Sequence, residues 1–354
     1  MAASLDGTNG LTFNDGTLMG SANSLGMRNR IINGDMRIDQ RNAGAAVTVG
    51  LNPYLTDRFF SSNETGIGTI TAQQLTLGNS RSLRLTATAA ITDLTNQFKG
   101  IVQAIESQNC FDLNNKTVTV SFIVETNWTG NLAVAFRNSA ATRAYVVNAA
   151  VVSGINNVSV TLPFEAATVA TNNNLRGLEF FIGANSTNID RRTATTGAWV
   201  AGVFICSTAS TNWTTTAGNF INVTNVQLEE GSVATPFERR PIGLELALSQ
   251  RYCQVYTGIV NQRVGLSGNG GNTSYPTLIL KTIMRSTPTL TVSSASHFNI
   301  EGLNGGKTAT SSLSADVLSP DSVTFEAVTT GITGSGTNLL INSTSGKLTL
   351  DSEL

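Results

Sequence analysis

The chain has 354 residues, a formal net charge of −1 and charged side chains at 13% of positions, against about a quarter in an average globular domain. A neutral surface rich in Gly, Ser, Thr and Asn gives no long-range attraction to phosphate backbones or anionic lipid, which sets aside nucleic acid and membrane insertion. The length suits two or three domains of about 100 to 200 residues, no apolar run reaches the roughly 18 to 20 residues of a membrane span, and no basic start followed by an apolar stretch marks a secretion signal.

In chain order, residues 1–25 are rich in Gly, Asn and Ser, with scattered Leu11, Phe13 and Leu18. They cannot form a core alone and suit either an unstructured terminus or a segment that orders against a partner. From 26 to 240 the pattern reads as strand after strand. Ile31, Ile32, Met36 and Ile38 open it. Leu83 and Leu85; Val118, Val120 and Phe122; Leu132, Val134 and Phe136; Val158, Val160 and Leu162; Phe180 and Phe181; and Trp199, Val200, Val203 and Ile205 continue it. Short runs rich in Val, Ile, Thr and Phe, separated by Asn, Gly, Ser or Asp, predict an all-β chain built on an antiparallel β-sandwich of jelly-roll type. No fixed period is visible, which argues against a solenoid.

The segment Phe220 to Tyr256 reads as a junction. Ile221, Val223, Val226 and Leu228 nearly alternate with polar residues, as in a half-buried strand, and Gly231 and Pro236 break it. Pro241 can occupy a first helical turn, and Leu244, Ala247, Leu248, Tyr252 and Val255 follow at helical spacing, predicting a short amphipathic connector helix over 241–253. Residues 254–354 then predict a small C-terminal β-domain of short strands joined by Gly-rich turns such as Gly268 to Gly271 and Gly334 to Gly336. Its few large apolar residues make a thin core, for which oligomerisation would supply burial.

Little in the sequence points to catalysis. Cys110, Cys206 and Cys253 are isolated and odd in number, reading as small buried residues and not as a disulfide frame or zinc site. His297 is the one histidine, so a Ser-His-Asp or Cys-His arrangement has only that residue to draw on, and it reads as a surface side chain. Glu229, Glu230 and Glu238 form the densest acidic group, but adjacent strand residues point to opposite faces, so Glu229 and Glu230 do not share a cleft. Sugar binding would instead use aromatic rings beside amides and carboxylates. Trp128 in ETNWTGN, Trp213 in STNWTTT and Tyr54 before Asp57 and Arg58 are the candidate ligand contacts, with structural packing or rim shielding placed ahead of ligand contact for both tryptophans; Trp199, inside a strand, reads as core. The bland role for Asp57 and Arg58 is a pairing, with Asp39 as the other partner, that locks the first strands.

Three segments carry a family resemblance: NVQLEEGSVATPFERR (225–240) running on through Pro241 to Tyr252; NRIINGDMRIDQR (29–41) with YLTDRF (54–59); and LDGTNGLTFNDGTL (5–18). Together they resemble the tail-fibre and related adhesion proteins of bacteriophages. The pair INGDMRID and FINVTNVQLEEG also resembles the first and last strands of carbohydrate-binding jelly rolls, in which a structural calcium is often held near the opening turn. Asp35 stands near that position, while Arg37 falls where a second acidic ligand would help. One carboxylate is weak support for an ion that takes six to eight oxygens, so no cofactor is expected. The resemblance implies a non-enzymatic virion fibre or fibre tip, assembled in the host cytoplasm without a signal peptide. In it residues 1–25 dock to other tail or virion proteins or trimerise, residues 26–240 form the carbohydrate-binding-module-like sandwich, and the connector helix packs along the axis of a homotrimer. Its target would be host surface polysaccharide or lipopolysaccharide. A glycan depolymerase or esterase, and a head or tail decoration protein with no receptor role, are the alternatives.

Overall fold

The computed structural model describes residues 27–50, 54–61, 69–93, 95, 99–268, 272–302, 305–330 and 336–354, and three short strands, Ser4–Asp6, Gly10–Thr12 and Leu18–Met19, that pair antiparallel in one sheet. The rest of the docking or trimerisation segment 1–25, and the Gly-rich turns near 270 and 334, lie outside the described residues. Contacts divide the chain into two units, Met1–Pro241 and Ile242–Leu354.

The first unit is an antiparallel sandwich. In chain-range order across the sheets, one layer has six strands (154–163, 117–126, 220–230, 80–87, 70–77, 47–48) and the other seven (199–201, 143–151, 130–138, 176–185, 99–106, 59–60, 54–56). Between them lies one core that takes one alternate set of side chains from each strand. Val118, Val120, Phe122 and Val124 come from one layer; Leu132, Val134, Phe136, Phe180 and Ile182 from the other. Phe136 stacks on Phe180 with ring centroids 4.8 Å apart, and Phe122 reaches the same ring at 6.4 Å. Burying each such side chain contributes about 1.5–3 kcal/mol.

The strand Phe220–Glu230 explains why its apolar pattern only nearly alternates. Ile221 and Val223 are odd-numbered and Val226 and Leu228 even-numbered, yet all four are fully buried. A β-bulge reconciles them: the pairing to 117–126 shifts between Ser121/Gln227 and Ile123/Thr224, and Asn225 takes a φ of 53°. One extra residue returns the apolar set to the core side.

The stretch expected to open the sandwich as a strand, Ile31 to Ile38, is a chain of turns. Asn33 and Met36 have φ of 60° and 56°, left-handed conformations that interrupt regular strand geometry. Ile31 and Met36 are still buried, so the apolar signal was a core signal and not a strand signal. Gly34 is required here by close approach, because a Cβ would overlap Val226 O, which packs directly against it.

The second unit opens with the helix Ile242–Gln250. Its burial is the reverse of the expected amphipathic face. Glu245, Ser249 and Gln250 are buried, Ile242 and Leu244 are exposed, and Ala247 and Leu248 are half-buried. Tyr252, expected as part of a trimer face, is wholly buried. Beyond it, six strands (262–268, 273–279, 322–329, 307–318, 298–302, 336–341) close a barrel, and 253–257, 347–351 and 289–292 form a separate three-stranded sheet. Phe298, Ile300, Phe325, Leu339, Ile341 and Leu348 lie in its core. Among the described residues no helix is long and apolar enough to cross a membrane.

Candidate functional site

The residues that carry the family resemblance come together as one buried polar latch. Asn29 donates through Nδ2 to Val226 O (3.0 Å), accepts from Ile31 N (2.9 Å) and Leu228 N (3.1 Å), and its own N–H reaches Glu238 Oε2 (2.9 Å). Arg240 donates to Ile31 O (3.1 Å) and to Asn29 O. Gln103 pairs with both backbone groups of Ile32, accepting at 3.0 Å and donating at 2.9 Å. Asn33 Nδ2 bridges Ile38 O (2.7 Å) and Asp57 O (2.9 Å), and Arg58 Nη2 reaches Ala104 O (2.5 Å). The turn-rich segment cannot pair its backbone in a ladder, so side chains supply the missing partners. These residues close the sandwich; their burial removes them from ligand contact.

The acidic group belongs to the same closure. Glu229 accepts from Thr235 N (2.9 Å), Thr235 Oγ1 (2.6 Å) and Gln227 Nε2 (2.9 Å), whereas Glu230 pairs outside with Lys116 Nζ (2.7 Å). Asp35 faces Arg37 Nε at 2.5 Å and Arg239 Nη1 at 3.7 Å. A carboxylate held between guanidinium groups does not fit a calcium donor set, and no group of three acidic, His or Cys ligands occurs among the described residues. His297 is half-buried, with Nδ1 3.0 Å from Ser293 Oγ.

Both loop tryptophans are core residues, which takes up the packing role and leaves the ligand-contact role unsupported. Trp213 is 1% exposed and donates through Nε1 to Gly183 O (2.9 Å). Its polar neighbours, which kept a ligand role open, serve the backbone: Asn212 caps the turn by accepting from Thr214 N (3.2 Å) and Oγ1 (2.7 Å), and Thr214 Oγ1 also lies 3.2 Å from Ile91 O. The hydrophilic flanks thus satisfy a tight turn while the indole drops into the sandwich. Trp128 is 9% exposed, with Nε1 donating to Phe220 O (3.0 Å). Trp199 is buried as expected, with Nε1 to Pro163 O at 2.7 Å.

Tyr54 behaves differently. It is half-buried on the edge strand of the seven-stranded layer, its ring 5.5 Å from that of Phe60, with the Arg41 guanidinium carbon 4.5 Å from its centroid. Cross-strand register continues this row over the outer face of the layer: Phe60 opposite Val102, Val102 opposite Phe181, Phe181 opposite Ala135, Ala135 opposite Val146. Val102, Ala133, Ala135, Val146, Phe181 and Ala184 form a second, smaller core on that face, closed by Ile205 and Cys206 and flanked by half-buried Phe60 and Phe204. One register step along, Arg137 lies opposite Glu179, with its Nε at 2.7 Å and Nη2 at 2.5 Å from Oε2, and Arg176 Nη1 reaches Oε1 at 2.9 Å. The Arg137 guanidinium carbon stands 4.9 Å from the Phe181 centroid. Burial lowers the pKa of Arg137 and the Glu179 carboxylate opposes that shift.

This face therefore presents half-buried aromatic rings at one edge and a guanidinium–carboxylate group farther across the sheet, Arg137 lying three strands from Phe60 and four from Tyr54. Sequence reasoning found only Tyr54. Phe60 and Phe181 each belong to an adjacent Phe-Phe pair, and strand alternation sends one ring of such a pair to each face of a sheet. That was the signal available for them.

No protein-family model matches the chain, and no curated protein matches it. Solved structures similar to it include the CBM22-1 xylan-binding domain from Paenibacillus barcinonensis Xyn10C, at 12% identity and a TM-score of 0.28 over 54% of this chain and 97% of that one. TmCBM61 in complex with β-1,4-galactotriose matches at 9% identity and a TM-score of 0.32, over 58% of this chain and 100% of that one. A family 11 carbohydrate-binding module of a cellulosomal cellulase from Clostridium thermocellum matches at 11% identity and a TM-score of 0.29, over 53% and 96%. The chain is thus similar to these jelly-roll modules at low identity and low superposition score, and the assignment of an antiparallel sandwich stands on its own sheet pairing.

Proposed function

We propose that this chain is a non-enzymatic bacteriophage fibre or fibre-tip protein whose sandwich binds host surface glycan on the outer face of its seven-stranded layer. The observation that carries the binding reading is the pairing of Tyr54 and Phe60 as half-buried rings beside Arg41, on a sheet whose far part holds Arg137 and Glu179. Rings can cover apolar sugar faces while guanidinium and carboxylate groups hold hydroxyls, on a surface already formed before binding. The buried latch supports that preorganisation, which lowers the entropy cost of a weak site. The virion role rests on the three resembling segments. The homotrimer reading draws support from the barrel, where Leu266, Thr277, Thr324 and Val317 lie in register across four strands, with Leu266 and Val317 exposed. Association would cover such a row, and repetition of weak sites would raise avidity.

The test is binding of the purified full-length chain to an array of bacterial surface polysaccharides, alongside Tyr54→Ala and Phe60→Ala. Binding that drops about tenfold or more in either variant, at unchanged melting temperature, supports the reading; absence of binding across the array sinks it. Sedimentation equilibrium checks the trimer, and a stable monomer under all near-native conditions overturns the fibre role.

A hydrolase is the second reading. Strand alternation places Glu106 and Glu179 on the same outer face of neighbouring strands, and both are buried. Glu179 is already held by two guanidinium groups, which favours a binding role for it. Release of reducing ends from a bound polysaccharide, abolished by Glu106→Gln, would establish the hydrolase instead.

A further inference from the structure

We infer that the glycan taken by this face is anionic, bearing a carboxylate, phosphate or sulfate group that docks at Arg137 and Arg176. The inference rests on the glycan reading above and adds the substrate's charge.

The argument begins with scarcity. With only 13% of residues charged, guanidinium clusters are few; one, Arg37 and Arg239 about Asp35, belongs to the sandwich closure, and another lies on this outer face. Arg137 sits on the outer face with Phe181 beneath it, and Arg176 approaches the same carboxylate from the next strand. Arg191 is a further like charge acting on Arg137. Glu179 stands between the first two, and Glu106 lies in register opposite Arg176 and accepts from Gln108 Nε2 at 3.0 Å.

The geometry leaves this group able to take an anion. Glu179 engages Nε and Nη2 of Arg137 and Nη1 of Arg176. A guanidinium presents about five N–H donors in a planar fork, so the Glu179 contacts use only part of either set. The Arg176 side chain is 39% exposed and that of Arg137 12%. Arg176 is therefore the outer member that a ligand meets, while Arg137, stacked and largely dry, is the anchored one. A planar fork matches carboxylate and phosphate oxygens in two-point contacts, which neutral hydroxyls do not reproduce at equal strength. The Phe60 and Tyr54 rings, two and three strands from Arg176 on the same face and beyond the part closed by Ile205 and Cys206, would hold an uncharged part of the same chain.

The experiment uses the full-length protein and calorimetric titration with three oligosaccharide probes: a polyuronate, its carboxyl-reduced neutral counterpart, and a phosphorylated oligosaccharide. The inference expects at least one acidic probe to bind about tenfold or more tighter than the neutral one, with affinity falling as salt rises. Arg176→Gln should remove that preference and Arg176→Lys should restore part of it. The acidic probe that binds tighter identifies the source of the charge. A neutral probe bound as tightly as both acidic ones, with Tyr54→Ala weakening it, overturns the charge assignment and leaves the glycan reading standing. Equal affinity of wild type and Arg176→Gln for the acidic probes also overturns the assignment. No binding of any probe, joined to a blank polysaccharide array, overturns both.

Discussion

Arg240 donates to Ile31 O across 209 residues of sequence, at 3.1 Å. The same guanidinium also reaches Asn29 O, and both carbonyls belong to an irregular segment that forms no continuous ladder. The latch is thus a direct bond between the entrance and exit of the sandwich. Arg240→Ala leaves buried carbonyls unpaired, and charge-assisted bonds of this kind are each worth about 1.5–3 kcal/mol. The variant should lose about 2–4 kcal/mol of stability, read as a lower urea midpoint of the full chain. A midpoint within experimental scatter of wild type would refute the closure role.

Gly34 offers an independent check of the same closure. The space a Cβ would occupy holds Val226 O, a backbone atom that cannot swing aside. Gly34→Ala should destabilise by about 1–3 kcal/mol or more through forced backbone shift, measured by thermal unfolding. A variant as stable as wild type would mean that the approach of 34 to 226 is not needed in solution.

These two residues also show what could be read from the sequence. Strands with regular alternation, such as Val118, Val120 and Phe122, were legible because a half-buried strand has a period of two. Ile31 and Met36 were legible as apolar and not as turns, since Arg240, which donates to Ile31 O, and Gln74, which donates to Met36 O, are remote in sequence and only the folded chain brings them together. Trp213 left two roles open for a different reason: its polar neighbours serve the turn's backbone, and flanking polarity reports on backbone need as readily as on solvent. The face with Tyr54 was only partly visible, because Arg137 and Phe181 look like ordinary strand residues until register sets Arg137 opposite Glu179 and Phe181 opposite Val102, in the same row as Phe60.

Gly243 lies inside the helix Ile242–Gln250, with open space where a Cβ would go and no left-handed φ. Here the glycine has no packing reason. Gly243→Ala should stabilise the second unit by about 0.5–1 kcal/mol through helix propensity and a stiffer unfolded chain. Chemical denaturation that resolves the second unit checks it, and a loss of stability would indicate that the site is covered in solution.

All three cysteines are free and buried. Burial pushes the Cys110 thiol up to about 12 and the Cys206 thiol up to about 11, so neither supplies the thiolate that reacts. A thiol reagent at neutral pH should label none of the three in the native chain and all of them in denaturant, counted by intact-mass spectrometry. Fast native labelling at any one would show that its surroundings open readily.

Asp57 gives the fold a pH dependence of predictable sign. Burial raises its pKa from 3.8 to about 6, against the lowering effects of Gln40, which donates from Nε2 (2.5 Å) and N (3.2 Å), and of the Arg41 charge; Asp39 nearby adds to the rise. The folded pKa therefore lies above the unfolded one. A raised carboxyl contributes stability that is fully present below about pH 4, in its protonated form, and is lost as pH rises through about 6. At about 1.4 kcal/mol per unit, the contribution is on the order of 3 kcal/mol at most. Asp57→Asn removes the titration, so the stability of wild type relative to the variant should grow as pH falls from 7.5 to about 4. Carboxyls such as Asp93, Asp321 and Glu301, whose pKa values hydrogen bonds lower, act in the opposite direction in both proteins and cancel from the difference. Parallel urea midpoints for the two proteins across that range would show that Asp57 is not held in a raised state.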